Sequence, residues 1–320
     1  MLTTRYTPYS VYINTAGGTD SWINQIQSTS PDQKVTLIKE SGGSQTDVEY
    51  VAAKTTEPTV SIVTTDLTQL STIGMAGIQV APGSGTPGVV VYARQTPLES
   101  LPASITASDH ITMAVSDGIL IPETLEVQNN ESAKLTLMLH AILGSTATYS
   151  GATPLVLTAA QEIPSGAAGT VNVFTCGVVK YTITGGSSYL VYGIMRQSVK
   201  FGITLFKEWD SGEVHPTYVA IKQRAPVLSF ATADLTQIAA IGEGVSVSSC
   251  AFYFRAMSQN GQRVANATTS HVSIIGTEGV LKPMPLDQKY GAAGTASFEF
   301  HPSLNTNLLT ISTAAAIPTS

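Results

Sequence analysis

Six side chains of this sequence combine a chemically useful type with a repeated placement. Asp66 and Asp234 occupy the same position in two matching segments, TTDLTQLSTIG and TADLTQIAAIG. His110 and His271 are likewise equivalent, and the same offset relates His140 to His301. A carboxylate in a cleft can act as a general base, and histidines grouped with acids or cysteines can hold a metal. Neither chemistry is complete here. Each aspartate precedes an apolar stripe with helical spacing: Leu67, Leu70 and Ile73 in one case, Leu235, Ile238 and Ile241 in the other. An Asp in that place caps the helix by accepting from its unpaired N–H groups, and Gly74 and Gly242 close the two runs. No further ligand type repeats near the histidines at metal-site spacing, so they are expected to be hydrogen-bonding residues at strand ends. His215 has no repeated partner, and Lys39-Glu40 and Lys207-Glu208 read as surface or intersubunit charges. The nucleophile elbow, the phosphate-binding Gly-Lys loop and the HExxH and CxxC motifs are all missing from the sequence. The expectation is a protein that is not an enzyme, with no catalytic residue, no cofactor and no metal.

The elements that would carry these residues also occur twice. At the offset that relates Asp66 to Asp234, Thr36-Leu37-Ile38-Lys39-Glu40 matches Thr204-Leu205-Phe206-Lys207-Glu208, and Tyr50-Val51-Ala52-Ala53-Lys54 matches Tyr218-Val219-Ala220-Ile221-Lys222. Pro58 matches Pro226. A shortening between Gly242 and Arg255 then reduces the offset to the one that relates His110 to His271. Gly118, Leu120, Pro122 and Leu125 match Gly279, Leu281, Pro283 and Leu286 at this second offset. A period of that length suits a whole domain rather than a solenoid repeat. The sequence therefore predicts two copies of one domain, at 1–150 and 169–320, joined by a linker at 151–168.

Composition narrows the class. Only 12% of the 320 residues are charged, and mean hydropathy is +0.17. A surface so poor in charge favours burial against other subunits. No stretch holds the roughly 20 apolar residues that a spanning helix needs. The N-terminal MLTTRYTPYS lacks a basic-then-apolar leader pattern, so folding in a cytosol is expected. Cys176 and Cys250 both lie in the second copy, so a disulfide framework is not expected. Residues 1–160 carry a net charge of −7 and residues 161–320 a net +1. Neither half has the cationic surface of a nucleic-acid-binding domain.

The texture is β throughout. Val60-Ser61-Ile62-Val63, Val89-Val90-Val91-Tyr92 and the alternating Leu135, Leu137, Leu139 are strand-like, and the last three match Ala296, Phe298 and Phe300. Asp117-Gly118 and Glu278-Gly279 read as hairpin turns. Residues 144–169 read as the connector, with Leu155-Val156-Leu157 as an alternative strand. The tail after Leu309 reads as loose in a free subunit. Residues 82–88, PGSGTPG, form a Gly/Pro loop in the region that the second copy shortens.

A mainly β chain of two tandem β-sandwich or barrel-like domains, each with one short α-helix, resembles the phage tail-tube protein family. The resemblance rests on architecture, size, sparse charge and the two helix segments. It implies a virion structural protein of the tail, assembled in a host cytoplasm. Three duplicated subunits would form a pseudo-six-fold ring, and rings would stack into a tube through which DNA passes without specific contacts. Its partners would be other copies of itself and other virion proteins. On this reading Pro82, Gly83, Gly85, Pro87 and Gly88 form a ring-to-ring contact loop. The alternatives are another virion component (capsid, decoration or tail hub) and a β-sandwich binding module.

Overall fold

The computed structural model describes residues 4–16, 18, 20–41, 47–48, 50–81, 87–97, 101–143, 153–167, 172–210, 212–258, 260–284, 294–303 and 308–319. The chain is mainly antiparallel β. The first half runs β1 (Thr4–Asn14), β2 (Asp20–Ile23), β3 (Ile26–Asp32), β4 (Thr36–Glu40), β5 (Tyr50–Thr55) and β6 (Thr59–Thr64). A 3-10 turn (Leu67–Gln69) then leads into helix α1 (Leu70–Ile73). Strands β7 (Ile78–Val80), β8 (Val89–Pro97), β9 (His110–Val115), β10 (Asp117–Gln128), β11 (Lys134–Ile142) and β12 (Leu155–Gln161) complete it.

The second half begins with β13 (Val173–Ile183), β14 (Ser188–Val191), β15 (Ile194–Lys200), β16 (Ile203–Glu208), β17 (Tyr218–Arg224) and β18 (Val227–Thr232). Helix α2 (Gln237–Ile241) follows, then β19 (Val245–Met257), β20 (His271–Pro283), β21 (Ala296–Pro302) and β22 (Leu309–Ala315). Among the described residues no helix is long and apolar enough to cross a membrane.

Registers recur with the elements. Ile26 pairs with Thr64 and Thr29 with Ile62, and at the equivalent positions Ile194 pairs with Thr232 and Gln197 with Phe230. Each of these pairings has its bulge at the same place, after Ile26 and after Ile194. Gly118 opposes Ala141 on β11, and Gly279 opposes Pro302 on β21. The difference in length falls where β7 and β8 of the first half are replaced by one continuous strand, β19.

Alternation decides which face is buried. On β11, Leu135, Leu137 and Leu139 are fully buried, as are Phe298 and Phe300 on β21. In the first half these side chains share one apolar core with Val11, Ile13, Val91, Met113 and Val115 of the sheet ordered β12-β9-β8-β1-β2. The two layers are one sandwich because each sheet has a single apolar face to hide.

The structure corrects several sequence expectations. Asp117-Gly118 and Glu278-Gly279 are not hairpin turns. Strand β9 pairs with β8 and β12, while β10 pairs with β7, β11 and β15, so the chain switches sheets at Ser116. In the second half the equivalent corner lies inside the single strand β20, where Glu278 has φ 51°. The tail after Leu309 is strand β22, paired with β20. Leu235 is 38% exposed, whereas Leu67 is fully buried, so the apolar stripe of the first half is not repeated in full. Residues 155–161, within the stretch read as connector, form β12 on the edge of the first-half sheet.

Candidate assembly interface

The two halves meet edge to edge. Strand β10 pairs with β7 and β11 along its first part and then, past a bulge between Pro122 and Thr124, takes β15 as its second neighbour. Thr124 opposes Lys200, Glu126 opposes Ser198 and Gln128 opposes Arg196. This joint makes one sheet of 13 strands from strands of both halves: eleven in the order β14-β13-β19-β20-β21-β18-β15-β10-β11-β6-β3, with β22 paired to β20 and β7 to β10 beside them. Phe201 N–H donates to Glu123 O at 3.0 Å and Asn129 N–H to Met195 O at 2.8 Å, so backbone bonds continue at both ends of the pairing. Arg196 Nη2 lies 3.6 Å from Glu126 Oε2 across the joint.

The β16–β17 hairpin reinforces the joint from one face. Lys207 Nζ donates to Glu57 Oε2 at 2.7 Å, and Lys207 is only 14% exposed while the carboxylate side is 36% exposed. Thr56 Oγ1 lies 2.5 Å from His215 Nδ1, Thr56 N–H donates to Val214 O at 2.9 Å, and Leu143 N–H donates to Pro216 O at 2.8 Å. Beneath this hairpin sits His140. Burial, then the charges of Lys207 and Lys34, hold its pKa down to about 4, with Glu57 acting the other way.

The joint leaves different burial on equivalent strands. Gln197, Ser198 and Val199 of β15 are buried, while Thr29 of β3 is half-buried and Ser30 and Pro31 are exposed. Strand β3 is the last in the sheet, so its outer edge presents backbone N–H and C=O groups without a neighbouring strand among the described residues.

Asp66 is the cap of the 3-10 turn. Its Oδ1 accepts from Thr68 N–H at 3.1 Å and from Thr68 Oγ1 at 2.5 Å, and its Oδ2 accepts from Asn24 N–H at 3.3 Å. Asp234 Oδ1 accepts from Thr236 N–H at 3.1 Å and from Thr236 Oγ1 at 2.5 Å. Gly74 and Gly242 follow the helices at φ 59° and 57°, a conformation that costs any residue with a Cβ. Leu67 and Leu70 are fully buried; the side chain of Ile238 lies outside the described residues.

His110 and His271 are fully buried and make the same two bonds. Gln95 N–H donates to His110 Nδ1 at 3.1 Å, and His110 Nε2 meets Ser104 O at 2.8 Å. Ala256 N–H donates to His271 Nδ1 at 3.0 Å, and His271 Nε2 meets Ala265 O at 2.9 Å. Because Nδ1 accepts, the ring proton belongs on Nε2. Each ring ties a loop back to the strand before it.

Gly118 and Gly279 are fixed by space. A Cβ on Gly118 would meet His140 O at 2.3 Å, and one on Gly279 would meet His301 O at 2.3 Å and Phe300 Cε2 at 2.6 Å. Pro122 stands at the β10 bulge, and Pro283 ends β20 opposite Phe298. In the Gly/Pro loop, Pro82, Gly83 and Gly85 lie outside the described residues, as does any contact they make, and Pro87 is half-buried. Gly88 packs on the sheet-switching corner, donating its N–H to Ser116 O at 3.1 Å while its own carbonyl accepts from Asn14 N–H at 2.7 Å.

Among the described residues no group of three or more His, Cys, Asp or Glu is placed to hold a metal ion, and Cys176 and Cys250 are free thiols. No family model matches this sequence, and no curated protein matches it.

Proposed function

We propose that this chain is a structural subunit of tail-tube type, built from tandem copies of one β domain, that assembles head to tail into stacked rings. The β10–β15 joint carries this reading. It is heterologous: one edge of the first half meets a different edge of the second. A heterologous contact leaves its two complementary edges unsatisfied at the ends, of which β3 is the one among the described residues, and so can repeat from chain to chain until the rotation closes. Closure converts open sheet edges into a continuous barrel. Two domains per chain give three chains for a pseudo-six-fold ring. The recurring registers and bulges support the tandem reading.

The face of the large sheet turned away from the buried Leu125, Val199, Leu228, Phe300 and Leu281 fits a wall along which DNA slides. Glu126, Ser198, Ser229, Glu299 and Lys282 follow one another across five neighbouring strands. Lys282 Nζ lies 3.4 Å from Glu299 Oε2, and Arg196 is held by Glu126. Cations paired within the wall hold phosphates weakly.

The test is to concentrate the tag-free chain and image it by negative-stain electron microscopy. Hollow tubes or stacked rings with pseudo-six-fold end views are expected. Closed shells would move the chain to a capsid role, and dispersed monomers at high concentration would overturn the reading.

A further inference from the structure

The hairpin of the first half leaves open a face that the second half keeps covered. Leu37 pairs with Ala53 and Lys39 with Val51, which puts these four side chains on one face of β4–β5. Leu205 with Ile221 and Lys207 with Val219 do the same on β16–β17. On β16–β17 all four are part-buried, with Lys207 bonded to Glu57 of the first half. On β4–β5, Leu37 is 49% and Val51 is 55% exposed. A second pair of faces follows the same rule. Strand β22 of the second half packs against α1 of the first. Its first-half equivalent, β12, leaves Leu157 65% exposed, and beside α2 Leu235 is 38% exposed. Apolar residues gathered on particular faces, rather than scattered, mark contact surfaces.

We propose that these faces are mates between two copies of this chain: the β4–β5 hairpin of one subunit docks on the second half of the next, with Asp47 meeting Arg224 and Leu157 lying over α2. This rests on the head-to-tail assembly proposed above and specifies its contact. The internal joint is the template, and the residues at equivalent positions are complementary. At the offset that relates Asp66 to Asp234, Asp47 corresponds to His215 and Arg224 to Thr56. The neutral Thr56–His215 contact inside the chain therefore becomes a pair of opposite charges between chains. Lys39 stands in the place of Lys207, but Ala225 stands in the place of Glu57, so that ion pair is not repeated. Asp47 and Arg224 are both exposed, which leaves both side chains open to a partner.

The test is sedimentation velocity over a concentration series on the tag-free full chain and on Asp47→Arg, Arg224→Asp and the double variant. Each single reversal is expected to weaken association about fivefold to tenfold per contact, and the double variant to restore it. Val51→Lys, at an exposed position, is expected to weaken association at least as much while the circular dichroism spectrum and melting temperature of the monomer stay unchanged. A chain that assembles equally well with either single reversal overturns the docking contact and leaves the ring reading standing. Single variants that weaken assembly without rescue in the double overturn the Asp47–Arg224 pairing. A wild-type chain that stays monomeric at every concentration overturns both.

Discussion

Lys207 on β16 and Glu57, just before β6, form a 2.7 Å ion pair that crosses from one half of the chain to the other. The lysine is the more enclosed partner, so it cannot recover water cheaply when the carboxylate is lost. Glu57→Gln keeps the volume and removes the charge. It is expected to cost on the order of 2 kcal/mol and to speed amide exchange along Tyr218–Arg224 while exchange in β13 and β19 stays slow. Unchanged exchange in β17 would mean that the backbone bonds to Val214 and Pro216 alone hold the hairpin.

His110 and His271 each satisfy one strand N–H and one loop carbonyl in a site closed to water. Replacement by Ala strands both backbone groups, at a cost of about 2–4 kcal/mol in either half. His301 is 43% exposed on its side chain, and its substitution is expected to fall within about 0.5 kcal/mol. Urea midpoints of the three single variants check this. A cheap His271→Ala beside a costly His110→Ala would show that the two sites are equivalent in geometry but not in energy.

Much of this architecture was legible in the chain because alternation and local pairing are short-range signals. Leu135, Leu137 and Leu139 announced their buried face, and Asp66 announced its cap. The sheet switch at Ser116 was not legible, because Asp117-Gly118 between apolar runs has the same pattern whether the chain reverses or crosses to the opposite layer. The Gly signal there records close approach to His140 O rather than a turn. The β10–β15 joint was hidden for a different reason. Its partners lie far apart along the chain, and no periodicity encodes which two edges meet. Leu235 departs from Leu67 although the sequence repeats, because the strand packed on α1 comes from the other half of the molecule.

Gly118→Ala and Gly279→Ala test the corner. An added methyl at Gly118 runs into the backbone oxygen of His140, and at Gly279 it meets both His301 O and the buried ring of Phe300. Neither oxygen can swing aside without breaking the pairing of β10 with β11 or of β20 with β21. The expected cost is about 2–4 kcal/mol, with Gly279→Ala the worse. Gly74→Ala has nothing within 4 Å of the new methyl and bears only the cost of its backbone conformation, φ 59° with ψ −168°, on the order of 1–3 kcal/mol. Chemical denaturation of the three variants gives the order directly. A Gly118→Ala cost no larger than that of Gly74→Ala would show that the strands part easily there.

His140 makes stability depend on pH. Burial and the neighbouring Lys207 and Lys34 hold its folded pKa at about 4, against about 6.5 for a histidine in an unfolded chain. The depressed value belongs to a base, so the folded state favours the neutral ring. Above pH 6.5 both states leave it neutral and its contribution vanishes. As pH falls from 6.5 toward 4, the unfolded chain takes up a proton that the folded chain refuses, and stability drops. Between pH 7.5 and 4.5 this one group is expected to remove on the order of 2 kcal/mol. His215 is shifted in the same direction by burial and adds to the loss, while Asp117, whose pKa burial raises, works the other way. The difference between wild type and His140→Gln isolates the His140 share, because those other groups titrate in both proteins. Urea denaturation at pH 7.5, 6.0 and 4.5 should therefore give stabilities that converge or cross as the pH falls if Gln is the costlier residue at neutral pH, or that diverge if it is not. Parallel curves would mean that His140 gains its proton without penalty, and that the β16–β17 hairpin does not seal it from water.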